Sequence, residues 1–348
     1  MLRYAVGLLR SYLNWEPLQG GDLNNPGAQS QSERPYALIT GATDGIGLEL
    51  AKLLASRYRF NLVLHGRSPS KLEKSKQAVL QAYRDEHGVA QQKKTDDEVK
   101  VLTLLADASK AREIDYEADF VDPLRRANGG KGVDLTLVVH NVGGASIAAL
   151  NQDGANQPGR LFQLFGDRAD AELFGLIDMN LLFPMALTRH LLPLLQAPSS
   201  ASAGAKKALV VTISSAVSEM PMPGIATYSA AKAGLNGFIS ALGIEQQIEP
   251  QVQQASTPKR KVETQNFVVG AVRTRRLRNT PHDFFTPNAE DFVVSMSRVL
   301  GDGHSVGSAY FGHALQRAAG AFTPQFVQDS VRRSIGMQGI SGHFDQAD

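Results

Sequence analysis

The apolar positions of this chain fall into short runs separated by longer amphipathic stretches. "YALIT" at 36–40, "NLVLH" at 61–65, "KVLTLLAD" at 100–107, "LTLVVHN" at 135–141, "ALVVTISS" at 208–215, "VETQNFVV" at 262–269 and "AYFGH" at 309–313 each predict a strand. Helical periodicity between them predicts helices over 46–57, 69–86, 169–195 and 226–248, the third containing Pro184. Nearly continuous apolar strands alternating with helices predict a parallel sheet covered on both faces. The expected fold is α/β: a single-domain, doubly wound parallel seven-stranded sheet of the Rossmann type.

Four polar segments break the alternation, at 87–99, 150–168, 197–207 and 250–260, and read as solvated surface insertions. At the N-terminus, "MLRYAVGLLRSYLNW" aligns Leu2, Val6, Leu9 and Leu13 beside Arg3 and Arg10. That pattern predicts a short amphipathic helix lying on the domain or, alternatively, on a membrane surface. Residues 16–34 are rich in Gly, Pro, Asn, Gln and Ser and read as a linker. The chain thus divides into an N-terminal segment with linker (1–34), a folded domain (35–315) and a helical tail (316–348).

Composition narrows the function classes. Among 348 residues 43% are hydrophobic and 20% charged, as in an ordinary globular domain, and the net charge of +2 implies no strong attraction to nucleic acid. The chain has no cysteine, which excludes disulfides, thiolate catalysis and cysteine-ligated metal. Its histidines are scattered without ligand spacing, so no metal site is expected. No run of apolar residues is long enough to predict a membrane span.

Two stretches carry candidate chemistry. "ITGATDGIGLEL" at 39–50 sets Gly41, Gly45 and Gly47 between an apolar strand and an apolar-faced helix. Glycines there allow a tight turn, and backbone N–H groups with the helix N-terminus can then meet a pyrophosphate. "ATYSAAKAG" at 226–234 places Tyr228 and Lys232 one helical turn apart among small residues. An ammonium about 4 Å from a phenolate gains roughly 4 kcal/mol at an effective dielectric of 20, which is about three pKa units. A tyrosine so shifted can exchange a proton with a substrate.

The spacing T-G-x-x-x-G-x-G resembles the cofactor loop of the short-chain dehydrogenases/reductases, as does the Y-x-x-x-K. Further matches are Ser215, thirteen residues before Tyr228; "HNVGG" at 140–144; Asn180 in "IDMN"; and "VGAVRT" at 269–274. "TDGIG", "NLVLHGRSPSKL" and the segment 286–315 resemble the branch of 17β-hydroxysteroid dehydrogenases and very-long-chain 3-oxoacyl-CoA reductases. Two positions depart from the pattern: His140 stands where an asparagine is frequent, and Val269 replaces a proline.

The resemblance implies a nicotinamide-dependent ketone/alcohol oxidoreductase on a steroid-, 3-oxoacyl- or polyketide-like substrate; a catalytically silent dinucleotide-binding protein of the same fold is the alternative. It implies that Tyr228 is the acid/base, that Lys232 lowers its pKa and holds the ribose, that Ser215 bonds the substrate oxygen, and that Asn180 positions a water. The cofactor would meet Gly41, Thr43, Asp44, Gly45, Ile46, Gly47, Arg67, Ser68, Asp107, Asn141, Gly143, Val272 and Thr274, besides Tyr228 and Lys232. Arg67 follows the second strand in "HGRSPSKL", where an acid would favour NAD. A guanidinium there favours the 2′-phosphate of NADP(H). The basic run "RTRRLRN" at 273–279 lies in the expected substrate loop, 271–290. A homo-oligomer in the cytoplasm is expected, with the endoplasmic-reticulum surface as the alternative and peripheral membrane contact not favoured.

Overall fold

The computed structural model describes residues 34–88, 98–147, 161–197, 207–253, 259–277, 282–302 and 305–341. Of the amphipathic segment and linker expected over 1–34 only Arg34 lies within them, and residues 89–97, 150–160, 198–206 and 254–258 of the polar insertions lie outside.

Seven strands form one parallel sheet in the order β3-β2-β1-β4-β5-β6-β7. They are β1 (Tyr36–Thr40), β2 (Asn61–Gly66), β3 (Val101–Leu105), β4 (Leu135–His140), β5 (Lys207–Ile213), β6 (Lys261–Phe267) and β7 (Val306–Gly307). The order reverses between β1 and β4, so a crevice opens at the carboxyl ends of those strands, where ligands bind in open α/β sheets. Side-chain alternation splits the core in two. Ile39, Leu64, Val139 and Val211 face α1 (Gly45–Ser56) and α2 (Pro69–His87). Leu38, Val63, Val138 and Val210 face the opposite way, and register sets Leu38 beside both Val63 and Val138. After β3 a short α3 (Asp122–Arg126) follows; α4 (Asp170–Ile177) and α5 (Phe183–Gln196) then cover this second face with α6 (Ala226–Gln253).

The structure departs from the sequence expectation in two places. The helix expected over 169–195 is interrupted by a π-turn at Asp178–Leu182, where the Phe183 N–H bonds the Asp178 carbonyl five residues back. Pro184 stands immediately after and has no N–H to continue the regular ladder. The span 170–196 is long and apolar enough to cross a membrane, but half of its most apolar window is buried inside the fold. The last strand is the two-residue β7, and the run read as a strand at 309–313 opens a helix instead. His313 and Ala314 are both buried while Phe311 and Leu315 are exposed, a helical spacing that alternation along a strand cannot produce. This helix is α8 (Phe311–Phe322), preceded by α7 (Ala289–Ser297) and followed by α9 (Gln325–Ile340). The domain boundary expected at 315 therefore falls inside α8. α9 packs close to the loop before Tyr228: a Cβ on Gly336 would lie 2.7 Å from Pro223, and one on Gly339 2.5 Å from the Phe162 ring.

Two histidines sit inside the second core. His65 stacks on Phe183 at 5.0 Å and His140 Nε2 lies 2.7 Å from Thr188 Oγ1. Burial pushes His65 down to about 4 and His140 down to about 3, the latter also through the charges of His65 and Lys232. Both folded values lie below the unfolded value near 6.5, so the unfolded chain takes up protons first as pH falls. Their stabilising contribution is complete above about pH 6.5 and is lost through 4 and 3, at up to about 1.4 kcal/mol per pH unit for each imidazole. Urea midpoints should therefore decline from about pH 7 to 4, and less steeply in His140→Asn. The same pH slope in the variant and the parent would contradict this assignment.

Candidate active site

The glycine loop is shaped by contacts too close for any side chain. Gly41 and Gly45 adopt φ of 66° and 54°, the left-handed region. A Cβ on Gly47 would stand 2.5 Å from both Asn141 Nδ2 and the Gly41 carbonyl. Asn141 ties this loop to β1: Nδ2 donates to the Thr40 and Gly41 carbonyls at 3.0 and 3.2 Å. Thr40 Oγ1 in turn accepts from the Asn141 and Val142 N–H groups at 3.0 and 3.1 Å. Asp44 caps α1, its carboxylate accepting from Gly45 N at 2.8 Å. Thr43 packs on Gly66, Ile46 turns into the first core, and Val272 is buried there with it. Thr274 closes over the loop, 3.0 Å from where a Gly45 Cβ would be.

Lys232 reaches the crevice from α6. It is 2% exposed, and among the described residues its Nζ donates to the Ile213 carbonyl alone, at 2.8 Å. Burial pushes its pKa down to about 8. Nζ lies 5.8 Å from the centroid of the Tyr228 ring, farther than the 4 Å separation assumed above but still across one helical turn. Gly143 closes the other side: a Cβ there would lie 3.0 Å from Lys232 Nζ and 2.7 Å from Asn180 Oδ1. An ammonium inside the protein with one acceptor and no carboxylate has unused donors. Together with the glycine cradle, this fits the ribose hydroxyls and pyrophosphate of a nicotinamide dinucleotide.

Asn180 lies in the π-turn and is fully buried. Its Oδ1 accepts from Gly144 N, and Nδ2 donates to the Gly144 and Leu176 carbonyls, at 2.9–3.0 Å. The side chain thus clamps the turn after β4, and both its N–H bonds are committed. Ser215 lies two residues past the end of β5 and caps a short 3₁₀ turn, with Oγ 3.5 Å from Val217 N. His140 points into the second core towards Thr188, away from the cofactor crevice. Val269 is buried and its carbonyl accepts from Ala216 N at 2.8 Å, so backbone pairing continues past it.

At the far end of the crevice, Arg67 and Asp107 follow β2 and β3 and face each other, Nη1 to Oδ2, at 4.0 Å. Asp107 also accepts from Ser109 N and Oγ. Ser68 is 3% exposed and caps α2, its Oγ 3.5 Å from Lys71 N, so its hydroxyl serves the helix first. Of the basic run, Arg273 is held by its N–H on the Pro287 carbonyl at 2.8 Å, while Arg278 and Asn279 lie outside the described residues. Sequence reading missed Thr40 and the Ile213 carbonyl. Thr40 was visible as the threonine before Gly41, but a backbone carbonyl has no residue-type signal.

Known proteins resemble this chain in sequence and in fold. The short chain dehydrogenase family matches residues 35–274, well over half of the chain. A very-long-chain 3-oxoacyl-CoA reductase from Podospora anserina is 32% identical over 245 residues, covering 70% of this chain and 59% of the reductase. The chain therefore spans less than two thirds of that relative's length. A hydroxysteroid dehydrogenase-like protein 1 from Gallus gallus is 27% identical over 84% of this chain and 73% of its own. Among solved structures, a 7β-hydroxysteroid dehydrogenase superposes with a TM-score of 0.60 at 16% identity, covering 88% of this chain and 100% of its own. A Sphingobium yanoikuyae short-chain dehydrogenase in complex with NADPH gives 0.55 at 21% identity, covering 86% and 94%. With its family match, its fold and its glycine loop in agreement, the chain belongs to the short-chain dehydrogenase/reductase family.

Proposed function

We propose that this protein is an NADPH-dependent reductase that interconverts a ketone and a secondary alcohol, with a steroid-, 3-oxoacyl- or polyketide-like substrate. The observation that carries the reading is the Tyr228–Lys232 pair, whose ammonium is buried with donors to spare. A nicotinamide dinucleotide bound in the crevice would supply the hydride that the chain itself cannot. Tyr228 gives its phenolic proton to the substrate oxygen, and the Lys232 charge stabilises the phenolate left behind. Ser215 Oγ donates a hydrogen bond to the same oxygen as charge develops on it. Asn180 clamps Gly144, which fixes the turn whose Gly143 lies close against Lys232. The branch resemblance and the names of the relatives support the substrate classes.

Tyr228→Phe keeps the ring and removes the proton. Turnover with a panel of ketones should fall by at least about 100-fold while NADPH still binds. Retention of more than about a tenth of the parent rate would refute the role of Tyr228, whereas a parent that consumes no NADPH with any ketone would favour a dinucleotide-binding protein without this chemistry.

Lys232 is charged below its lowered pKa and neutral above it, so the cation that Tyr228 and the ribose need is lost as pH rises through about 8. The profile of kcat/KM, which reports free-enzyme groups, should fall on that limb. A flat profile from about pH 7 to 10 would contradict it.

Arg67 follows β2 with its guanidinium facing Asp107, and in this reading it grips the 2′-phosphate of NADPH. A charge-assisted bond is worth roughly 1.5–3 kcal/mol, so NADPH should bind about 10- to 100-fold more tightly than NADH. Arg67→Asp should reverse that order by lost attraction and added repulsion. Nicotinamide fluorescence titrations decide it, and an unchanged ratio in the variant would remove Arg67 from the site.

A further inference from the structure

Four polar side chains outside the reacting set connect the sheet core to the turn that carries Ser215. Thr212 and Asn266 are register partners on β5 and β6, both fully buried. Thr212 Oγ1 lies 2.7 Å from Asn266 Oδ1, and Asn266 Nδ2 lies 2.9 Å from Asn236 Oδ1. Asn236 Nδ2 lies 2.8 Å from Ser218 Oγ, which lies 2.6 Å from the Ser215 carbonyl. The polarity of this chain is dictated from its far end. A carbonyl only accepts, so the Ser218 hydroxyl donates to it. That leaves the Ser218 oxygen to accept, so Asn236 presents its nitrogen there and its oxygen to Asn266. Asn266 then presents its nitrogen to Asn236 and its oxygen to Thr212, whose hydroxyl donates. Each link pairs a donor with an acceptor, and flipping either amide alone would set two nitrogens or two oxygens against each other between Asn236 and Asn266.

We propose that Asn236 is a positioning residue for the reaction: acting through Ser218, it fixes the turn that places Ser215 Oγ against the substrate oxygen. The proposal rests on the reading of Ser215 given above. Among the described residues Ser215 Oγ makes only a long contact with Val217 N, at 3.5 Å, so its direction is set by the backbone of the turn. That backbone is held at the Ser215 carbonyl by both the Ser218 N–H, at 2.9 Å, and the Ser218 hydroxyl. Asn236 follows Lys232 by one helical turn and Tyr228 by two on α6, and so shares their face. One rigid helix therefore bears the acid and the ammonium directly and anchors the third group through Asn236.

The test is Asn236→Asp, which keeps the shape and reverses the polarity. A carboxylate cannot donate to Ser218, so the Ser218 hydroxyl turns towards it and leaves the Ser215 carbonyl. The expected result is a fall in kcat of about tenfold, with KM for the ketone and Kd for NADPH changed by no more than about twofold. Amide hydrogen exchange over 216–219 should accelerate in the same variant without added cofactor or substrate. Ser218→Ala, at a half-buried position, should lower kcat about threefold, and the double variant should be no slower than Asn236→Asp alone. A purely structural asparagine would lower the melting temperature and leave the kcat of the folded enzyme unchanged, which overturns the proposal. If Asn236→Asp does not fold, Ser218→Ala decides by the same measures. An active parent with indifferent variants refutes this proposal alone, whereas a parent inert towards every ketone refutes the functional reading and this proposal with it.

Discussion

An ammonium group kept out of water is the constraint around which the centre of this molecule is arranged. Lys232 is charged at neutral pH although buried, and burying a charge is costly unless it has partners. Within the chain, Nζ bonds the Ile213 carbonyl and approaches the Tyr228 ring. The remaining capacity faces the crevice opened by the reversal of strand order between β1 and β4. A site that holds a cation with spare donors at the carboxyl ends of parallel strands is prepared for hydroxyls and for developing negative charge.

The surroundings of that cation are rigid because backbone groups and short side chains are lashed together there. Thr40 and Asn141 bind the ends of β1 and β4 to each other and to the glycine loop. Asn180, presented by the π-turn ahead of Pro184, clamps Gly144 through both of its amide atoms. Gly143 then lies so close to Lys232 and Asn180 that a methyl group would not fit. Each of these contacts spans about a hundred residues of sequence or joins different layers, so the geometry belongs to the fold and not to any local motif.

Much of this was legible before any coordinates. The strands β1, β2, β4 and β5 announced themselves because burial on both faces demands continuous apolar runs, and Tyr228 with Lys232 because one helical turn leaves a fixed spacing. The glycine loop was legible because left-handed and close-contact positions exclude other residues. What escaped depended on partners far away in sequence. The aromatic run at 309–313 looks like a strand until consecutive burial of His313 and Ala314 shows a helix. Pro184 hinted at a break, but its expression as a π-turn that aims Asn180 at Gly144 required the turn after β4 to be in place. The pairing of Arg67 with Asp107 and the capping by Ser68 alter how each meets a ligand, and neither shows in residue type alone.

The central claim is that the Tyr228–Lys232 crevice mediates direct transfer of hydride from a nicotinamide to a carbonyl carbon. The most direct measurement uses NADPH carrying deuterium at both positions of the nicotinamide C4, incubated with the protein and a panel of 3-oxoacyl-CoA, steroid and aromatic ketones. Mass spectrometry of the alcohol formed should show one deuterium at the carbinol carbon. NADPH that binds but is not consumed by any ketone, or an alcohol without the label, would contradict the account.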